Sequence, residues 1–131
     1  PSKCPGAWLL DASYNASPPA MLTNIASAQR LAAVRGSALR CVLGDMAELG
    51  AYTDEAHKRA LDALAGVQEV ILVGPNFARV AQALPAGWHA VPSVDDAIPL
   101  ATAGLASGQL TYVQGARRMQ LDRLVDALAE G

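Results

Sequence analysis

The 131-residue sequence predicts an α/β domain in three layers, a mostly parallel sheet of five or six strands with helices on both faces. Three observations predict it. Short apolar runs alternate with longer segments of helical period, which is the rhythm of βα repeats. The runs are nearly continuous in apolar character instead of alternating, as expected of strands covered by helices on both sides. Hydrophobic residues make up 52% of the chain and charged residues 17%, enough for one packed core and too apolar for disorder. The arrangement these imply is Rossmann-like.

The strands are expected at Ala7–Leu10, Leu39–Leu43, Val70–Val73, His89–Val91 and Leu110–Val113. Arg40 interrupts the second run and suggests that this strand starts near an exposed end. Leu22, Ile25, Ala28, Leu31 and Ala32 form one stripe of a helix from Pro19 to about Val34, with Gly36 as its stop. Thr53 suits the N-cap of a second helix, with Asp54 and Glu55 placed favourably in the first turn. A short third helix is expected over Asn76–Leu84. Ser93 suits the cap of a fourth, and Pro99 is expected to kink that helix or delay its start. Leu121, Leu124, Val125 and Leu128 recur at i, i+3, i+4 and i+7 and define the last helix. No repeat or linker divides residues 1–131, so a single domain is expected.

A formal charge of −2 gives no electrostatic pull toward nucleic acid or an anionic membrane, and no apolar run approaches the ~20 residues of a membrane-spanning helix. No apolar signal segment is visible at the start. Cys4 and Cys41 are too few for a disulfide framework or a zinc site, and Cys41 suits a buried small hydrophobe. A cytoplasmic setting is the expectation.

In an open parallel sheet, ligands bind beyond the carboxyl ends of the strands, so the segments after each strand carry the chemistry. After the first strand come Asp11-Ala12-Ser13-Tyr14-Asn15-Ala16-Ser17-Pro18. Hydroxyls and an amide beside a helix N-terminus can receive phosphate or carboxylate oxygens, although Ser17 would serve equally as a plain N-cap. After the second come Gly44-Asp45-Met46-Ala47-Glu48-Leu49-Gly50, with His57 in the next helix. Two carboxylates and an imidazole can orient an amine, or Asp45 can make a local turn while His57 sits on the surface. The spacing is poor for a metal, and none is expected. After the fifth come Gln114-Gly115-Ala116-Arg117-Arg118, where Gly115 permits close backbone approach and Arg117 can clamp an anion or remain solvated. Val73-Gly74-Pro75-Asn76 superficially suggests a phosphate loop, yet neither GxGxxG nor GxxxxGK[ST] occurs in the chain.

In this order, the three segments resemble the C-terminal domain of the Mur ligases, and most of all its D-alanyl-D-alanine-adding members. Those carry D-D-S-Y-N-A-N-P, G-D-M-x-E-L-G with a following His, and K-G-S-R. Departures fall at Ala12, Ser17, Gln114 and Ala116. The resemblance implies one part of a three-domain ATP-dependent ligase. An N-terminal domain holding a UDP-muramoyl peptide and a central domain holding ATP and Mg2+ would lie outside this chain. It implies ATP contacts at Asp11, Tyr14 and Asn15, and contacts toward D-alanyl-D-alanine at Asp45, Glu48, His57, Gly115 and Arg117. It implies no catalytic residue in this domain alone, no activity for it in isolation, and packing against the central domain. Another ligase of the Mur or folylpolyglutamate type, or a non-catalytic α/β binding module, shares the same composition and periodicity.

Overall fold

The computed structural model describes residues 7–13 and 16–129. Five strands form one sheet: β1 (Trp8–Ala12), β2 (Ala38–Gly44), β3 (Glu69–Val73), β4 (Trp88–Val91) and β5 (Gln109–Gln114). Their order is β1-β5-β2-β3-β4, and every pairing is parallel. The helices are α1 (Pro18–Arg35), α2 (Thr53–Ala63), α3 (Pro75–Val80), α4 (Val94–Ala103) and α5 (Asp122–Ala129). The predicted three-layer α/β architecture is thus observed.

Side-chain alternation along the strands divides the core in two. Cys41 and Leu43 of β2, Val70 and Leu72 of β3 and Tyr112 of β5 pack with Met21, Ile25 and Ala28 of α1, Ala56 and Ala60 of α2, and Phe77 of α3. Val42, Ile71, Val73 and Val113 point the other way, onto Val94, Ala97 and Ala101 of α4 and Leu121, Leu124 and Leu128. The chain crosses the sheet in one direction from β1 to β4 and then reverses to insert β5. Right-handed crossovers require α4 to change face at that reversal, which explains the two helical layers.

Several local expectations are corrected. Arg40 marks no exposed end: it is 1% exposed, with Nε donating to Thr111 Oγ1 at 3.3 Å and Nη1 to the Ala101 carbonyl at 2.8 Å. Thr53 is the first residue of α2, not its extended cap, because a 3-10 turn at Gly50–Tyr52 already leads the chain into the helix. Its hydroxyl donates back to the Gly50 carbonyl at 2.6 Å. Helix α3 stops at Val80, well before Leu84, since the Ala-Gln-Ala-Leu that follows has little to bury and Leu84 is itself exposed. Pro99 neither delays nor ends α4. Both Pro99 and Asp95, whose carbonyl loses its partner to the proline, lie on the solvent side.

The predicted caps of α1 hold. Ser17 accepts from the Ala20 amide at 3.3 Å, and Gly36, at φ 67°, takes the left-handed stop. Cys41 is fully buried with a free thiol, and burial pushes its pKa up to about 12.

Candidate functional site

The carboxyl ends of β2, β3 and β5 meet in one network of backbone and buried side chains. Just past β2, the Asp45 amide donates to the Val73 carbonyl at 3.0 Å, and its own carbonyl accepts from the Ala116 amide at 2.9 Å. The Asp45 carboxylate is fully buried beneath the first turn of α3. Its Oδ2 accepts from the Asn76 amide at 2.8 Å and its Oδ1 from the Phe77 amide at 3.0 Å. A carboxylate satisfying the free amides of a helix start is stabilised by both hydrogen bonding and the helix dipole. Gly74 makes this possible. At φ 121°, it would place a Cβ 2.5 Å from Asp45 Cγ, so only glycine admits the carboxylate.

His57 lies in the second turn of α2 and is also fully buried, not on the surface. Its Nε2 accepts from the Met46 amide at 3.0 Å and its Nδ1 sits 2.7 Å from the Thr53 carbonyl. An amide can only donate, so Nε2 is unprotonated and Nδ1 carries the hydrogen. The ring stands edge-on to Phe77 at 4.6 Å, and Nε2 is 3.9 Å from Asp45 Oδ1. Asp45 and His57 therefore spend their polar atoms inside the fold, fixing the path of residues 45–50. Gly115 belongs to the same construction. A Cβ there would come within 2.9 Å of Gly44 Cα and 2.8 Å of Leu121 Cδ1, so the close approach it permits is between strands β2 and β5.

Above this floor opens a cavity of about 440 Å3, lined among others by Glu48, Asp54, Asn76, Arg79 and Arg118. Glu48 is exposed and holds a left-handed backbone at φ 60°, uncommon for a residue with a side chain and a mark of a constrained loop. Arg79 of α3 pairs with Asp54 of α2 through a 2.5 Å contact. The hydrogen bond holds the Asp54 carboxyl below its ordinary range and the Arg79 guanidinium above its own.

Of the predicted site residues, Asp45, Glu48, His57 and Gly115 come together around the cavity and its floor. Arg117 is exposed in a 3-10 turn (Arg117–Met119) beside them, whereas its neighbour Arg118 lines the cavity. Asp11 lies on β1, two strands from β2, and its Oδ1 accepts from the Ser13 amide at 2.9 Å in a local turn. Tyr14 and Asn15 lie outside the described residues. Nearby, Gln114 is buried and its Oε1 accepts from the Tyr112 hydroxyl and from Asn24 Nδ2, the latter at 3.2 Å, which ties β5 to α1.

Sequence reasoning missed Asn76, Arg79 and Arg118 as cavity residues. Asn76 belongs to the strand-end segment after β3, and Arg79 follows it by one helical turn. No group of three His, Cys, Asp or Glu side chains able to hold a metal ion occurs among the described residues. No helix among them is long and apolar enough to cross a membrane.

The profile of the Mur ligase, glutamate ligase domain family matches residues 3–117. The UDP-N-acetylmuramoyl-tripeptide–D-alanyl-D-alanine ligase of Treponema pallidum (strain Nichols) is 32% identical over 124 residues, covering 89% of this chain and 26% of that protein. The crystal structure of the MurF ligase from Thermotoga maritima in complex with ADP superposes with a TM-score of 0.77 at 20% identity, over 95% of this chain and 28% of that one. A MurF structure from Acinetobacter baumannii gives 0.71 at 22% identity, over 94% and 27%. The chain thus spans about a quarter of the length of these three relatives.

Proposed function

Because this chain belongs to the Mur ligase family by its glutamate ligase domain, we propose that it is the C-terminal lid of an ATP-dependent ligase that adds D-alanyl-D-alanine to a UDP-N-acetylmuramoyl tripeptide. The observation that carries this reading is the cavity at the carboxyl end of the sheet, with Glu48 and Arg118 both in its lining. A dipeptide is a zwitterion, and such a pocket offers an acceptor for its ammonium and a cation for its carboxylate.

In this reading the chain's own residues position the acceptor and exclude water. Asp45 and His57 hold the 45–50 loop so that Glu48 stands at the rim, and Arg118 fixes the dipeptide carboxylate; the ammonium held at Glu48 loses a proton there, and the resulting amine attacks the activated tripeptide carboxyl as phosphate leaves. ATP supplies the activation by converting that carboxyl to an acyl phosphate. A closed lid protects so hydrolysable a group and commits it to the amine. Asp11, Tyr14 and Asn15 are assigned to the nucleotide side, and Arg117, exposed outside the cavity lining, to the face that meets the central domain. The chain has no GxxxxGK[ST] phosphate loop, which supports a reading in which the central domain holds the nucleotide phosphates and Mg2+.

Steady-state kinetics of the full-length ligase test this. Arg118→Ala is expected to raise KM for D-alanyl-D-alanine about tenfold, while KM for the UDP-muramoyl tripeptide stays put. An unchanged dipeptide KM would remove the cavity from the acceptor site.

A further inference from the structure

The cavity holds a second arginine in an arrangement that Arg118 lacks. Arg79 directs two donors at a single carboxylate oxygen: Nε lies 3.0 Å and Nη2 2.5 Å from Asp54 Oδ1. Nη2 also donates to Asn76 Oδ1 at 3.0 Å. Nη1 has no partner among the described residues. A guanidinium fork is matched by two carboxylate oxygens receiving parallel bonds, and this pair uses only one. Both side chains are about half exposed, 51% for Arg79 and 55% for Asp54, so water and salt screen the pair and it holds weakly. Both residues line the cavity, with Asn76 beside them.

We propose that Arg79 is the specificity-determining residue for the carboxylate of the incoming dipeptide, and that Asp54 is an internal placeholder which that carboxylate displaces. The inference rests on the assignment of the cavity to the acceptor. With no ligand present, Asp54 keeps the guanidinium paired and oriented by Asn76. A ligand carboxylate offering two oxygens makes the better fork, and Arg118 adds a second cation to the same cavity. Affinity is then reduced by the fraction of molecules in which Asp54 holds Arg79, and removing Asp54 restores it. For an exposed pair of this kind the gain is about two- to fivefold.

The test is KM for D-alanyl-D-alanine and for its C-terminal amide in the full-length ligase carrying Asp54→Ala, Arg79→Lys or Arg118→Ala. Asp54→Ala is expected to lower KM for the dipeptide by about two- to fivefold and to leave that for the amide as it was. Arg79→Lys, which keeps the charge and loses the fork, is expected to raise the dipeptide KM about tenfold. If Arg118→Ala raises the dipeptide KM and Asp54→Ala leaves it unchanged or raises it, the cavity assignment stands and the placeholder falls. An equal gain for the amide also overturns it, since no carboxylate is then involved. If none of the three variants moves the dipeptide KM, the cavity assignment fails and the inference with it.

Discussion

Strand β2 has a buried charge at each end, and the two are accommodated differently. At the amino end, Arg40 reaches the carbonyl of Ala101 near the close of α4 and the hydroxyl of Thr111, while its Nη2 is the one buried side-chain nitrogen or oxygen without a partner among the described residues. Desolvation pulls its pKa down, opposed by Glu69. At the carboxyl end, Asp45 uses both oxygens on the start of α3 and its main chain on β3 and on Ala116. Each charge complements the helix end it meets, a cation near a C-terminus and an anion at an N-terminus. Only the carboxylate is fully satisfied, and it is the one beneath the cavity. The carboxyl ends of these strands are built for fixed geometry and the amino ends for tolerance.

That contrast can be broken by substitution. Asp45→Ala should be the costliest change, about 2–5 kcal/mol in urea unfolding, because two amides of α3 lose their partners in a buried place. His57→Leu should follow at about 1–3 kcal/mol, by stranding the Met46 amide. Under the proposed function it should also raise the dipeptide KM of the full-length protein by loosening the loop that carries Glu48. Arg40→Met should cost less than about 1 kcal/mol, since an apolar replacement removes an incompletely paired buried cation along with its two contacts. An Arg40→Met loss equal to that of Asp45→Ala would erase the difference between the two edges.

The smallest effect belongs to the exposed Asp54–Arg79 pair. The Asp54 carboxyl is depressed in the folded state, so its contribution is present above the unfolded carboxyl value and lost as pH falls through the lower folded one. With both groups on the surface, Asp54→Ala should leave the urea midpoint at neutral pH within experimental scatter, whatever it does to ligand affinity.

The central strands β2, β3 and β5 are legible because strands buried on both faces must be apolar throughout, whereas the half-exposed edge strands β1 and β4 are marked only by short apolar runs. Helix ends are less legible: a 3-10 turn before α2 shifts the role of Thr53, and α3 stops short of Leu84 because the segment after it has little to bury. The strand-end loops were found, but their residues could not be sorted into those that face a ligand and those that hold the floor. Asp45 and His57 look alike in sequence whether they face a ligand or serve the fold; both are fully buried, Asp45 on the start of α3 and His57 on the Met46 amide. Arg118 and not Arg117 lines the cavity because a 3-10 turn ending at Gln120, with φ 55°, sets the phase, which no helical period foretells. Arg79 meets Asp54 from a separate helix, a tertiary event 25 residues apart in the chain.

The position of β5 has a consequence for how this domain forms at the ribosome. Among the last elements to be synthesised, β5 nonetheless lies between β1 and β2, which touch it on either side and do not pair with each other. While the chain is still emerging, β1 has no strand to dock on, and β2 through β4 form a partial sheet with the β2 flank open as well as the outer side of β4. The domain therefore assembles only when residue 114 is free of the exit tunnel, a late closure that depends on contacts distant in sequence. A nascent chain arrested before β5 would present two unpaired edges, and those are the edges on which a chaperone, or another copy of the same unfinished sheet, can act.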